Sequence, residues 1–141
     1  MGGKLLFRQN KIDEAISALR KAIELQPNDY LAYDHLAVIL EKQGSLEEAL
    51  TANQKAAEIN PEDAVAYYNM GSVLSKQSRF EEAAHACQQA LARDPKNLYA
   101  HNHVYTWNNL GEIYHTQGKK DEAILAYQKQ LKLDLLTLLY S

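Results

Sequence analysis

The chain has 141 residues, 46% of them hydrophobic and 23% charged, a composition that fits one globular domain and excludes a disordered one. Its net charge of -3 argues against a nucleic-acid-binding surface, and its single cysteine, Cys87, excludes an intramolecular disulfide. No stretch reaches the ~18 apolar residues of a membrane span, and MGGKLLFRQNKIDEA lacks a secretory signal's charged, apolar and small-residue regions, so cytoplasm is the expected compartment.

Taken in chain order, the segments repeat. From Pro27 to Pro61 and from Pro61 to Pro95 is 34 residues each time. An incomplete first copy reads Gly3-x-x-Leu6, Asn10, Glu14-Ala15, Ala22, Pro27. The second reads Tyr33-x-x-Leu36-Ala37-x-x-Leu40, Gly44, Glu48-Ala49, Ala56, Pro61. The third reads Tyr67-x-x-Met70-Gly71-x-x-Leu74, Ser78, Glu82-Ala83, Ala90, Pro95, and the fourth Trp107-x-x-Leu110-Gly111-x-x-Tyr114, Gly118, Glu122-Ala123. Apolar residues spaced by three and four predict helices, and the Gly, Ser or Asn in each copy predicts a break, so each copy is two helices. In the second copy these run from about Tyr30 to Gln43 and from about Leu46 to Ile59. Ser45-Leu46-Glu47-Glu48 and Ser78-Arg79-Phe80-Glu81 have the spacing in which a serine oxygen caps the second helix. Ala37, Gly71 and Gly111 are expected to face larger residues on the second helix, so leucine there overpacks the pair.

This pattern resembles the tetratricopeptide repeat family over residues 2 to 134. The resemblance implies an all-α fold, a right-handed superhelical solenoid of antiparallel helix pairs with a concave groove lined by the first helix of each pair. The expected repeats are 1–29 (partial), 30–63, 64–97 and 104–137, with a six-residue insertion at 98–103. Two departures stand out. Mid-way along the second helix, Leu19 and Tyr127 of the outer copies become Asn53 and Cys87 in the middle ones, which thins the packing there. The last copy has Gln130 for alanine and Leu135 for proline. Neither end carries a polar cap, and Leu133, Leu135, Leu136, Leu138 and Leu139 fold back onto the last helix pair, meet another copy, or belong to a longer array from which this chain is cut.

Transferred position by position, the groove of the second copy takes Leu31, Asp34, His35, Val38, Glu41 and Lys42. The third takes Val65, Tyr68, Asn69, Ser72, Ser75 and Lys76, and the fourth Tyr105, Asn108, Asn109, Glu112, His115 and Thr116. Lys4, Phe7 and Arg8 come from the first. His35, Asn69 and Asn109 share one place, where an amide's donor and acceptor suit a peptide backbone. Arg8, Lys42 and Lys76 share another and favour acidic groups, although lysine near a helix C-terminus also suits the helix dipole. The family's carboxylate-clamp subgroup needs further cations that the third and fourth copies lack. Phe7, Tyr68 and Tyr105 are candidate apolar anchors.

No catalytic set, metal site or cofactor site is expected. Cys87 falls where a small core residue belongs. The acidic pairs Glu47-Glu48, Glu81-Glu82 and Asp121-Glu122 open helices, where the dipole favours them. His101-Asn102-His103 is a poor ligand pair, since residues two apart on a helix diverge. Within the insertion, a longer helix and a loop before a normal helix are both open. The expected role is a protein-interaction scaffold for an extended peptide or partner helix. Self-association through the ends and a docking domain of a larger enzyme are the alternatives.

Overall fold

The computed structural model describes residues 2–94 and 100–140. Among them are seven helices and no strand: α1 (Gly2–Leu25), α2 (Tyr30–Lys42), α3 (Leu46–Ile59), α4 (Ala64–Lys76), α5 (Phe80–Arg93), α6 (Ala100–Thr116) and α7 (Lys120–Tyr140). The chain divides into two compact units, Met1–Pro61 and Glu62–Ser141. In the first, α2 and α3 form a helix pair and α1 packs on α2; in the second, α4 pairs with α5 and α6 with α7.

Three turns reverse the chain by one device. Gly44, Ser78 and Gly118 take φ of 84°, 60° and 76°. The next residue donates back to the fifth carbonyl before it: Ser45 N–H to Leu40, Arg79 N–H to Leu74 and Lys119 N–H to Tyr114, at 2.9, 2.9 and 2.8 Å. These bonds satisfy carbonyls that a helix end would otherwise strand. The expected serine caps do not form. Ser45 makes no side-chain cap bond, and the residue before α5 is Arg79, because Ser78 is spent on the left-handed turn. Arg79 instead grips Glu82 with two nitrogens, at 3.1 and 2.6 Å.

The first copy departs from the pattern. Asn10, aligned with Gly44, Ser78 and Gly118, makes no turn, and α1 runs straight through it. A left-handed asparagine costs energy, whereas a continued helix keeps every backbone bond. Ser78 accepts that cost because α4 and α5 pack on either side of it. Residues 3–10 are all exposed, so nothing in their unit enforces a turn.

The core of each pair is small and close-fitting. Ala37, Ala49 and Ala56 are fully buried in the first unit, and Val73, Ala83 and Ala90 in the second. A Cβ on Gly71 would stand 2.7 Å from Cys87 Sγ, and one on Gly111 2.6 Å from the Tyr127 ring, so each glycine lets its helix approach a partner side chain. Cys87 is only 1% exposed, and burial pushes its thiol up to about 12, which makes it a packing residue and a poor nucleophile. Asn53, its counterpart in α3, is wholly buried.

Candidate functional site

In the second unit, α4 and α6 lie side by side and the start of α5 closes the base between them. The hollow they form has a volume of ≈ 260 Å³. Ser72, Ser75 and Lys76 line it from α4, Phe80 from α5, and Tyr105, Asn109, Glu112, Ile113 and Thr116 from α6. Helical spacing explains the set: 72, 75 and 76 share one face of α4, and 105, 109, 112 and 116 one face of α6. The Tyr105 and Ser72 hydroxyls are 3.4 Å apart and bridge the two helices. Tyr105 remains 46% exposed, an open aromatic surface on one wall. Lys76 and Glu112 give the hollow both signs of charge. Glu112 also reaches Tyr127, whose hydroxyl is held above its ordinary value first by burial and then by that carboxylate.

Seven of these nine residues are groove positions transferred from the repeat pattern. The other two, Phe80 and Ile113, supply apolar floor; Ile113 was findable as the residue four beyond Asn109. Asn69 is half-buried beside the hollow, and its amide nitrogen finds no partner among the described residues. Asn108 is half-buried and outside the lining. His35 and Lys42 are exposed on α2, and Arg8 on α1, all in the first unit. Neither unit by itself holds the whole basic row.

Tyr68 is not an open anchor: it is 5% exposed. The insertion explains why. By the spacing of Tyr33 in α2 and Tyr67 in α4, a helix carrying Trp107 would start at Val104, yet α6 starts at Ala100, one turn earlier. The added turn brings His103 over Tyr68, with ring centroids 5.7 Å apart in an edge-on contact. Asp94, at the end of α5, completes the cluster: its Oδ2 accepts from the Tyr68 hydroxyl at 3.2 Å and lies 3.0 Å from His103 Nε2. The histidine contact is one of proximity, because Nε2 makes no hydrogen bond in this geometry. Asp94 and His103 are 2% and 5% exposed, so one member of the His-x-His pair is committed to the interior. The side chain of His101 as a ligand, and Leu98 and Tyr99 as packing residues, lie outside what the structure describes.

Antiparallel helix pairs joined by left-handed turns, with a polar hollow between first helices, define a helical-repeat interaction module. The chain belongs to the tetratricopeptide repeat family, whose models match residues 1–64 and 62–135. That fold typically serves protein–protein interaction. No curated protein matches the chain. Among solved structures, MamA from Desulfovibrio magneticus RS-1 is 23% identical with a TM-score of 0.76, covering 94% of this chain and 71% of its own. At that identity the likeness speaks for the fold alone. PilF of Pseudomonas aeruginosa is 27% identical with a TM-score of 0.77, covering 93% of this chain and 57% of its own. YrrB, a tetratricopeptide repeat protein with an unusual peptide-binding site, is 28% identical with a TM-score of 0.73, covering 82% of this chain and 57% of its own. Among the described residues no helix is long and apolar enough to cross a membrane.

Proposed function

We propose that the chain is a non-catalytic scaffold that holds an extended peptide in the hollow between α4 and α6. The observation that carries this reading is the placement of Asn109, two serines, Lys76, Glu112 and Thr116 around one cavity with Tyr105 open beside them. An extended backbone presents alternating donors and acceptors, and an amide flanked by hydroxyls can answer both without reading side chains. Asn69 lies on the same face of α4 as Ser72 and Lys76, and its amide nitrogen has no hydrogen-bond partner among the described residues, so a turn of the side chain toward the hollow lets it bind a peptide carbonyl at no loss of an existing bond. The solved structure of YrrB points the same way, as a member of the family with a peptide-binding site. Lys76 in the hollow, with Lys42 and Arg8 in the first unit, favours partners with acidic groups.

The test is direct. Peptides selected from a display library against the whole chain should lose about thirtyfold in affinity when Asn69→Ala and Asn109→Ala are combined, roughly the sum of two hydrogen bonds at ~1 kcal/mol each. The melting temperature should barely change, because Asn109 is half-buried and the Asn69 amide nitrogen, buried without a partner, gives up no hydrogen bond. Unchanged affinity for every selected peptide would sink the asparagine reading.

A further inference from the structure

Helices α5 and α7 both pack on α6 but, among the described residues, not on each other, and the gap between them is a second hollow of ≈ 410 Å³. Trp107 and His103 form its floor, on the face of α6 turned about 180° from Tyr105, Asn109 and Glu112. Leu91 of α5 makes one wall. The other is one face of α7, where Lys129, Lys132, Leu133 and Leu136 recur at helical spacing. The volume is that of a small-molecule site.

A further helix after α7 would not fill this gap. Gln88 donates to the Tyr114 hydroxyl at 3.0 Å, and Leu91 stands on the same side of α5, so that is the face which the following pair covers. Trp107 follows Tyr67 by forty residues (107 − 67), and the same step carries Gln88 and Leu91 to Gln128 and Leu131 of α7. Those two lie about 120° round the helix from the lysine-bearing wall.

Charge decides what fits. Lys129 and Lys132 border the hollow and no carboxylate does, and among the described residues neither lysine has an ion-pair partner. Lys129 Nζ stands 5.1 Å from the centroid of the Trp107 ring. Two like charges three residues apart on one helix repel, and an anion between them turns that cost into attraction. The Asp94 carboxylate lies under the floor, 3.0 Å from His103 Nε2, and repels a second anion there. The charged end of a ligand therefore belongs at the lysine rim and its apolar end inside. We infer that this hollow binds a small amphiphilic carboxylate, its head between Lys129 and Lys132 and its tail on Trp107 between Leu91, Leu133 and Leu136.

Trp107 is the chain's one tryptophan, so its fluorescence reads this hollow directly. Octanoate titrated into the whole chain should shift that emission saturably. Octanol, with the same tail and no charge, should bind about tenfold more weakly, the difference being two partly exposed ion pairs. Lys129→Gln combined with Lys132→Gln should bring octanoate down to the level of octanol and leave octanol binding unchanged, a pairing that misfolding cannot imitate. Both lysines are exposed, so helicity by circular dichroism should be kept. Asn69→Ala with Asn109→Ala should leave octanoate binding as it is, which separates this hollow from the one between α4 and α6. Absence of a saturable shift, equal affinity for octanoate and octanol, or a lysine variant that binds octanoate as tightly as the natural chain overturns the inference. So does displacement of octanoate by hexaglutamate at a lower concentration than octanoate itself requires, which would give the surface to a protein partner.

Discussion

Asp94→Ala is expected to destabilise the second unit by about 2–3 kcal/mol, the upper range for leaving a buried polar group without its hydrogen-bond partner. Asp94 Oδ2 serves two groups at once, the Tyr68 hydroxyl at 3.2 Å and His103 Nε2 at 3.0 Å. Alanine leaves both facing a hole from which water is excluded, so each loses its partner without regaining hydration. For a unit of this size a loss of that order lowers the melting temperature by roughly 10 °C or more. Tyr68→Phe is the calibrating control: it removes one hydroxyl and keeps the ring packed on His103, so it should cost only about 1 kcal/mol. If Asp94→Ala costs no more than Tyr68→Phe, the three residues do not form a closed cluster. Calorimetry on the whole chain reads both changes, and the transition of the 62–141 unit is the one that should move.

That cluster also marks where the sequence stopped being informative. The 34-residue spacing and the apolar periodicity placed α3 at Leu46–Ile59 to the residue and α2 within one residue of its end, because both signals are local and repeated. The lining of the hollow on α6 was legible for the same reason: once Asn109 is placed on a helix, Tyr105, Glu112 and Thr116 share its face. What could not be read was any choice between two local structures of similar cost. Asn10 can end a helix or continue one, and only the absence of packing around residues 3–10 decides for continuation. The insertion could be helix or loop, and the contact of His103 with Tyr68 and Asp94, nine and more residues away in sequence, rewards the extra turn. Tyr68 looked like an open anchor because the repeat pattern includes no such turn to cover it. The serine caps failed for local reasons: Ser78 takes the left-handed position of its turn, one residue too early to cap α5, and Ser45 stands at the cap position of α3 without turning its hydroxyl to the helix.

Gly71→Leu is expected to be the most damaging single change in the α4–α5 pair, costing about 3 kcal/mol through overpacking. The clash is with Cys87 Sγ, 2.7 Å from where the new Cβ would stand, and the backbone of Cys87 and Ala83 follows at 3.6 and 3.7 Å. Cys87 is 1% exposed and has nowhere to turn, so the helices themselves must separate. The equivalent change at Gly111 should be milder although its contacts are as short. There the obstacle is the Tyr127 ring, and a side chain 38% exposed can swing into solvent. Alanine sharpens the comparison, since in a helix it gains about 1 kcal/mol over glycine when space allows. Gly71→Ala should therefore destabilise the natural chain, yet become neutral or stabilising once Cys87→Ala has removed the sulfur. That reversal of sign in a double-mutant cycle, read by thermal melting, isolates the single contact between position 71 and Sγ. Additive effects would mean that the helices keep their distance for some reason other than the fit of Gly71 against Cys87.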